Sequence, residues 1–175
     1  MEKQLSREEI YKGKVIHVVK DKVLIDDGSH ALREVVLHNG GASIALKKDG
    51  AYYMVRQYRY ALGKEMLEFP AGKIEIGEDP DSTILREAQE EAGYTVKNLK
   101  KLGSIIPTCG YCTERIHLYY GEADERVGQH FDADERIDLK LYTLSEIKKM
   151  IASGEIDDAK TIAIVYNLEA QGIDA

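Results

Sequence analysis

Residues 72–94 read G-K-I-E-I-G-E-D-P-D-S-T-I-L-R-E-A-Q-E-E-A-G-Y, and the reading of this stretch decides the fold. It crowds together Glu78, Glu87, Glu90 and Glu91, with Arg86 among them and glycines at 72 and 93. Asp79-Pro80 has the form of an N-cap followed by Pro at the first helical position, which predicts a helix starting there. The helix should run to about Ala92 and stop at Gly93, a natural residue just past a helix end. Ile84, Leu85, Ala88 and Ala92 fall at helical spacing and form its expected buried stripe. Glu87 and Glu91 lie four apart, so their side chains share a face at about 6 Å, with Glu90 on its flank. Gly72 and Gly77 shape the loop before the helix, and Glu78 acts from that loop.

A Glu-rich helix is ordinarily a solvated face. Here the carboxylates stand on one rigid surface, where hard divalent cations find oxygen ligands. An anionic diphosphate can lie beside such a cluster only if cations intervene. Arg86 is placed to orient a carboxylate through a bidentate pair. The segment resembles the Nudix box, G-x5-E-x7-R-E-U-x-E-E-x-G-U with U apolar. Gly72, Glu78, Arg86, Glu87, Glu90, Glu91 and Gly93 occupy its fixed positions, with Ala88 and Tyr94 at U positions. At roughly 7% usage per residue type, such a match has a chance probability on the order of 10⁻⁸ at one start position.

The rest of the chain agrees with a single enzyme domain. Its 175 residues suffice for one sizeable core. A net charge of −7 and a pI near 5.3 disfavour a general nucleic-acid or anionic-membrane binder. No apolar run approaches the roughly 18 residues of a membrane span. The charged start, MEKQLSREEI, has no apolar core of a signal peptide. The expectation is a cytoplasmic enzyme acting on a small molecule, with no nucleic-acid or membrane partner.

Short strands are expected at 14–19, 22–25 and 32–37, with a turn at Asp27-Gly28. Strands at 42–46 and 52–57 flank Asp49-Gly50, a typical hairpin dipeptide. Beyond the box helix, strands are expected at 99–106, 115–120 and 139–142. Thr143 or Ser145 caps a helix to about Ala152. Asp157 or Asp158 caps a last helix that buries Thr161, Ile164, Val165 and Leu168. This order suggests an α/β fold, a mixed sheet between helices. The family fold implied by the resemblance is such an α/β/α sandwich, here residues 41–175. Residues 1–40 form a small N-terminal antiparallel sheet, too short to bury much alone. That arrangement looks like the ADP-ribose pyrophosphatase subgroup, in which such a sheet joins a swapped homodimer and helps build the substrate site.

The resemblance also implies roles. Residues 56–60, R-Q-Y-R-Y, look like the family's Q-x-R segment, with Arg59 reaching substrate; a planar fork suits a diphosphate. From the residues alone, Tyr58 and Tyr60 either stack on a base or pack, with packing the preferred expectation. Residues 67–72, L-E-F-P-A-G, resemble the E-x-P-A-G segment, in which the carbonyl of Ala71 is a metal ligand and Glu68 and Gly72 fall on the substrate side. Glu114 corresponds to a substrate-contacting glutamate, and Arg33 to a residue that reaches substrate from a partner subunit. Ala71, Glu87, Glu90 and Glu91 would hold two or three Mg²⁺ ions, with Mn²⁺ as a substitute. The general base would be Glu135, on an acidic loop whose neighbours Asp134 and Asp138 are close alternatives, or Glu78 within the box.

Residues 107–114, P-T-C-G-Y-C-T-E, depart from the subgroup, which usually has Pro where Cys109 stands. Cys109 and Cys112 form C-x-x-C, yet sit between two expected strands rather than at a helix N-terminus, and no second pair completes a zinc site. A metal or redox role is therefore the lesser reading of the pair, whose role the sequence leaves open. The implied activity is hydrolysis of ADP-ribose to AMP and ribose 5-phosphate. The alternatives are another nucleotide sugar such as GDP-mannose, or a Nudix domain that senses nucleotides without catalysis.

Overall fold

In the computed structural model, residues 1–130 and 137–174 are described, and Asp134 and Glu135 lie outside them. The hairpin at Asp49-Gly50 joins β4 (Gly41–Lys48) to β5 (Ala51–Arg59), and both turn residues have positive φ, 50° and 82°. β6 (Lys64–Glu68) pairs with β5, and β7 (Ala71–Lys73) with β4. The box helix α1 (Pro80–Glu87) follows, then β8 (Tyr94–Ile105), β9 (Ile116–Arg126), β10 (Ile137–Tyr142), α2 (Leu144–Ser153) and α3 (Ala159–Ala170). Among the described residues the sheet order is β10-β5-β4-β9-β8, antiparallel except for the parallel β4–β9 pair.

Strand alternation sends side chains to two cores. Ala42, Ile44 and Leu46 of β4 meet Ile84, Ala88 and Ala92 of the box helix and Tyr119 of β9. On the other face Ala45, Tyr52, Met54 and Leu118 pack with Ile147 of α2 and Ile164, Val165 and Leu168 of α3. These residues form the expected α/β/α sandwich, the unit comprising Gly41–Ile105 and Ile116–Ala175. Thr143 and Glu146 form a capping box on α2, and Asp158 caps α3 through Thr161 N–H.

The other unit comprises Met1–Gly40 and Ile106–Arg115. Its sheet has the order β1 (Lys3–Lys12), β2 (His17–Leu24), β3 (His30–Leu37), all antiparallel. Val19, Asp21 and Val23 are buried at alternate positions of β2. Arg7 donates to both oxygens of Asp21 at 2.8 and 2.7 Å, which neutralises the one buried charge of that row. Two short strands were expected over 14–25; β2 is instead continuous. The charged stretch that becomes β1 carries no strand pattern, because it is exposed along its whole length.

Candidate active site

The box helix begins as expected. Asp79 accepts from the N–H groups of Asp81 and Ser82, both at 3.0 Å. Its last part differs. After Glu87 the chain widens into a π-turn over Ala88–Ala92, and Gly93 then closes it at φ 77°. A π-turn within a helix commonly marks a functional site, because it re-aims side chains and exposes carbonyls. The buried stripe is also corrected: Thr83 lies buried with Ile84, whereas Leu85 is half-buried.

Arg86 gathers the carboxylates. Its Nε and Nη2 donate to Glu78 at 3.1 Å each, and Nη1 donates to Glu87 and Glu90 at 2.8 Å each. The guanidinium is held firmly protonated, first by its bonds to Glu78. Glu78 is pulled down to about 2 by the Arg86 bond, against burial and with help from the Thr83 hydroxyl. Glu87 folds over Gly72 so closely that a Cβ there would lie 1.7 Å from Oε1. Glu91 is buried, and its Oε2 accepts from Ala71 N–H at 3.0 Å. Thus the box glycine, Ala71 and the glutamates meet where β7 crosses the helix.

A second cluster lies on the same unit. Arg59, at the end of β5, donates Nε and Nη2 to the two oxygens of Glu68 at 2.7 Å each. Lys160, itself buried, donates to the same carboxylate and pairs with Asp158 at 3.0 Å. Burial alone would raise Glu68, but Arg59 and Lys160 overcome it and hold the carboxyl below its ordinary value. Thr161 Oγ1 accepts from Phe69 N–H at 3.0 Å. The start of α3 therefore clamps the segment that carries Ala71. Lys160 has no signal in sequence, since it lies far along the chain from its partner. Tyr58 and Tyr60 do not pack as expected; both are exposed.

The segment leading towards residues 131–136 is tied to the π-turn. His130 N–H donates to Glu90 O at 3.0 Å, and Gln129 Nε2 to Glu91 O at 2.7 Å. A cleft of about 520 Å³ opens here, lined by Ser82, Leu85, Arg86, Gln89, Glu90, Val127 and His130. Asp138 is on β10 and pairs with Lys140 at 2.9 Å. In the other unit, Glu114 Oε1 lies 3.6 Å from His38 Nδ1, and Arg33 donates Nε to Glu2 at 3.0 Å.

Among the described residues no three His, Cys, Asp or Glu side chains stand at metal-ready spacing. Glu87 and Glu90 are turned to Arg86, and Glu91 to Ala71 N–H. The donor set nevertheless suits a hard divalent cation: it gathers carboxylate oxygens on one turn beside β7, with Glu91 on Ala71 N–H. No helix among the described residues is long and apolar enough to cross a membrane.

Comparison with known proteins places the chain in a family. A family model described as the NUDIX domain matches residues 37–163. The chain is 35% identical to an ADP-ribose pyrophosphatase of Bacillus subtilis (strain 168), covering 96% of this chain and 92% of that protein. It is 39% identical to a methanol dehydrogenase activator of Bacillus methanolicus, over 97% and 94%. A GDP-mannose pyrophosphatase of Klebsiella pneumoniae is 29% identical, over 90% and 93%. A crystal structure of an ADP compounds hydrolase superposes with a TM-score of 0.87 at 17% identity, covering 98% of this chain and 96% of that one.

Proposed function

The chain belongs to the NUDIX family, and from that premise we propose that it hydrolyses the diphosphate of ADP-ribose, giving AMP and ribose 5-phosphate. The observation that carries this is the convergence of Glu78, Glu87 and Glu90 on Arg86, over Gly72 and beside the Glu91–Ala71 contact. Glu87, Glu90, Glu91 and the Ala71 carbonyl are the residues that would hold Mg²⁺, or Mn²⁺ in its place. The bound cations supply charge neutralisation of the diphosphate and acidify the attacking water.

The chain's own residues do the rest. Arg86 keeps the box glutamates oriented. Arg59 presents its Nη1 edge to the diphosphate, while Glu68, buried beneath it, holds Nε and Nη2 in place. Gly72 leaves room for Glu87. Glu114 and Arg33 contact substrate, with Arg33 acting from the second subunit of a homodimer. Glu135 takes the proton of the attacking water. Glu78 is the alternative base, but both of its oxygens are engaged by Arg86 at 3.1 Å, which favours Glu135. The anchoring of His130 and Gln129 on the π-turn supports a base carried by the following segment. The protein works in the cytoplasm on a free nucleotide sugar.

A second substrate, GDP-mannose, is favoured by Cys109 standing where the ADP-ribose subgroup usually has Pro, and by the Klebsiella relative's name. A panel of nucleotide sugars with Mg²⁺ and product identification separates the two. Under the proposal ADP-ribose has the highest kcat/KM. Glu91→Gln lowers turnover at least about 100-fold while circular dichroism stays unchanged. Near-normal turnover in that variant would refute the metal platform. Saturable ADP-ribose binding without hydrolysis would instead make the domain a sensor.

A further inference from the structure

We propose that Cys109 and Cys112 are a reversible dithiol–disulfide pair that accepts oxidation by a low-molecular-weight disulfide and thereby takes the sulfur acceptor from Glu114 N–H. Residues 107–111 form a turn, and Cys112, which closes it, is bridged to Val36 of β3. Cys112 N–H donates to Thr108 O at 3.1 Å and Tyr111 N–H to the same oxygen at 3.5 Å, which winds residues 108–112 into a single helical turn. Residues three apart in such a turn have Cβ atoms roughly 5–6 Å apart. A disulfide needs about 3.5–4.5 Å between Cβ atoms, so a small adjustment of the turn closes the bond. Both thiols are free. Cys109 is exposed and Cys112 half-buried, so the first is the group a soluble oxidant meets. Among the described residues no His, Asp or Glu joins the pair as a metal-ready group.

The chain beyond Cys112 shows where the movement goes. Val36 N–H donates to Tyr111 O at 2.7 Å, and Thr113 N–H to Val36 O at 2.9 Å. His38 N–H donates to Thr113 Oγ1 at 2.9 Å, and that hydroxyl donates back to His38 O at 3.2 Å. Residues 111 and 113 are thus fixed to β3. Cys112 Sγ accepts from Glu114 N–H at 3.4 Å. Turning that sulfur to Cys109 removes the acceptor from the N–H of Glu114, whose side chain keeps its 3.6 Å contact with His38 Nδ1.

The chemistry balances. The Cys109 thiolate attacks one sulfur of the small disulfide, breaking its S–S bond and releasing one thiolate. The Cys112 thiolate then attacks the Cys109 sulfur, forming the protein disulfide and releasing the second thiolate. Two electrons pass to the small disulfide, and the two cysteine protons end on the two released thiols.

The link to substrate rests on the reading of Glu114 given above; bond formation does not. The test treats the full chain with oxidised glutathione, then measures mass and free thiols, and KM for the nucleotide sugar that turns over best. The expected result is loss of both thiols with a mass lower by two hydrogens and no retained glutathione. KM rises about fivefold, the effect of one lost hydrogen bond, and dithiothreitol restores it. Cys109→Ser keeps its KM under the same treatment. A persistent mixed disulfide on Cys109, or closure with unchanged KM, would overturn the proposal. If no sugar in the panel is hydrolysed, the functional reading fails, while the thiol count still decides the bond.

Discussion

At the scale of single residues, Glu78 and Arg86 show how one cation divides work among carboxylates of like sequence context. Arg86 holds Glu78 in a two-pronged pair and spends its remaining nitrogen on Glu87 and Glu90. Glu78 is therefore a structural anion: its carboxyl lies near 2, against an ordinary 4.5, chiefly because of the Arg86 bond. A folded-state value below the unfolded one stabilises the protein above the unfolded value and is lost as pH falls through the folded one. In metal-free protein, Glu78→Gln should cost stability of order 2 kcal/mol at neutral pH. The gap between the variant and the parent should close as pH drops from about 4.5 towards 2. Urea midpoints across that range check this, and a gap independent of pH would mean that Glu78 is not held as an anion.

At the scale of elements, the site depends on how closely β7 meets the box helix. A Cβ on Gly72 would fall 1.7 Å from Glu87 Oε1, the far end of a flexible side chain. The strand can keep its place while the carboxylate swings away, so Gly72→Ala should fold normally yet lose about 10–100-fold in kcat, as displaced metal-site support does. Unchanged kcat with a lowered Tm would show that the glycine serves packing alone. The helix ends were legible in the sequence, because their determinants are local: the Asp79-Pro80 start and Gly93 stop of the box helix and the Thr143 and Asp158 caps of α2 and α3 each act within a few residues. The π-turn was not legible, since helical spacing alone gives Glu87 and Glu91 an ordinary shared face. Nor were β6 and β7, which are too short to show alternation, or the Lys160–Glu68 pair and the Thr161 bond to Phe69 N–H, each of which joins residues far apart in sequence. Glu114 and Arg33 were named by resemblance; no spacing rule predicts the His38 and Glu2 neighbours they have.

At the scale of the whole molecule, the N-terminal sheet asks for a partner surface. A three-stranded sheet of this length buries little by itself. Leu5, Ile10, Tyr11, Val15, Ile16 and Leu32 are each at least 42% exposed in the single chain, and β1 is an open edge. Leu5, Ile10, Tyr11 and Leu32 stand on β1 and β3, and Val15 and Ile16 on the turn between β1 and β2; exposed apolar side chains are a usual mark of an interface, and a two-fold dimer is the commonest way to cover a surface with its own copy. Light scattering should therefore give twice the 19.7 kDa of the chain. Replacing Leu5 and Ile10 together with Glu should yield a monomer whose circular dichroism matches the parent, because neither side chain is buried within the protomer. If Arg33 reaches substrate only across the two-fold axis, that monomer also loses affinity, and KM rises about tenfold or more, the scale of one lost charge-assisted contact. Retained KM in a proven monomer would place the whole substrate site within one chain, and a parent protein that is itself monomeric would leave the exposed row on β1 without the role assigned to it.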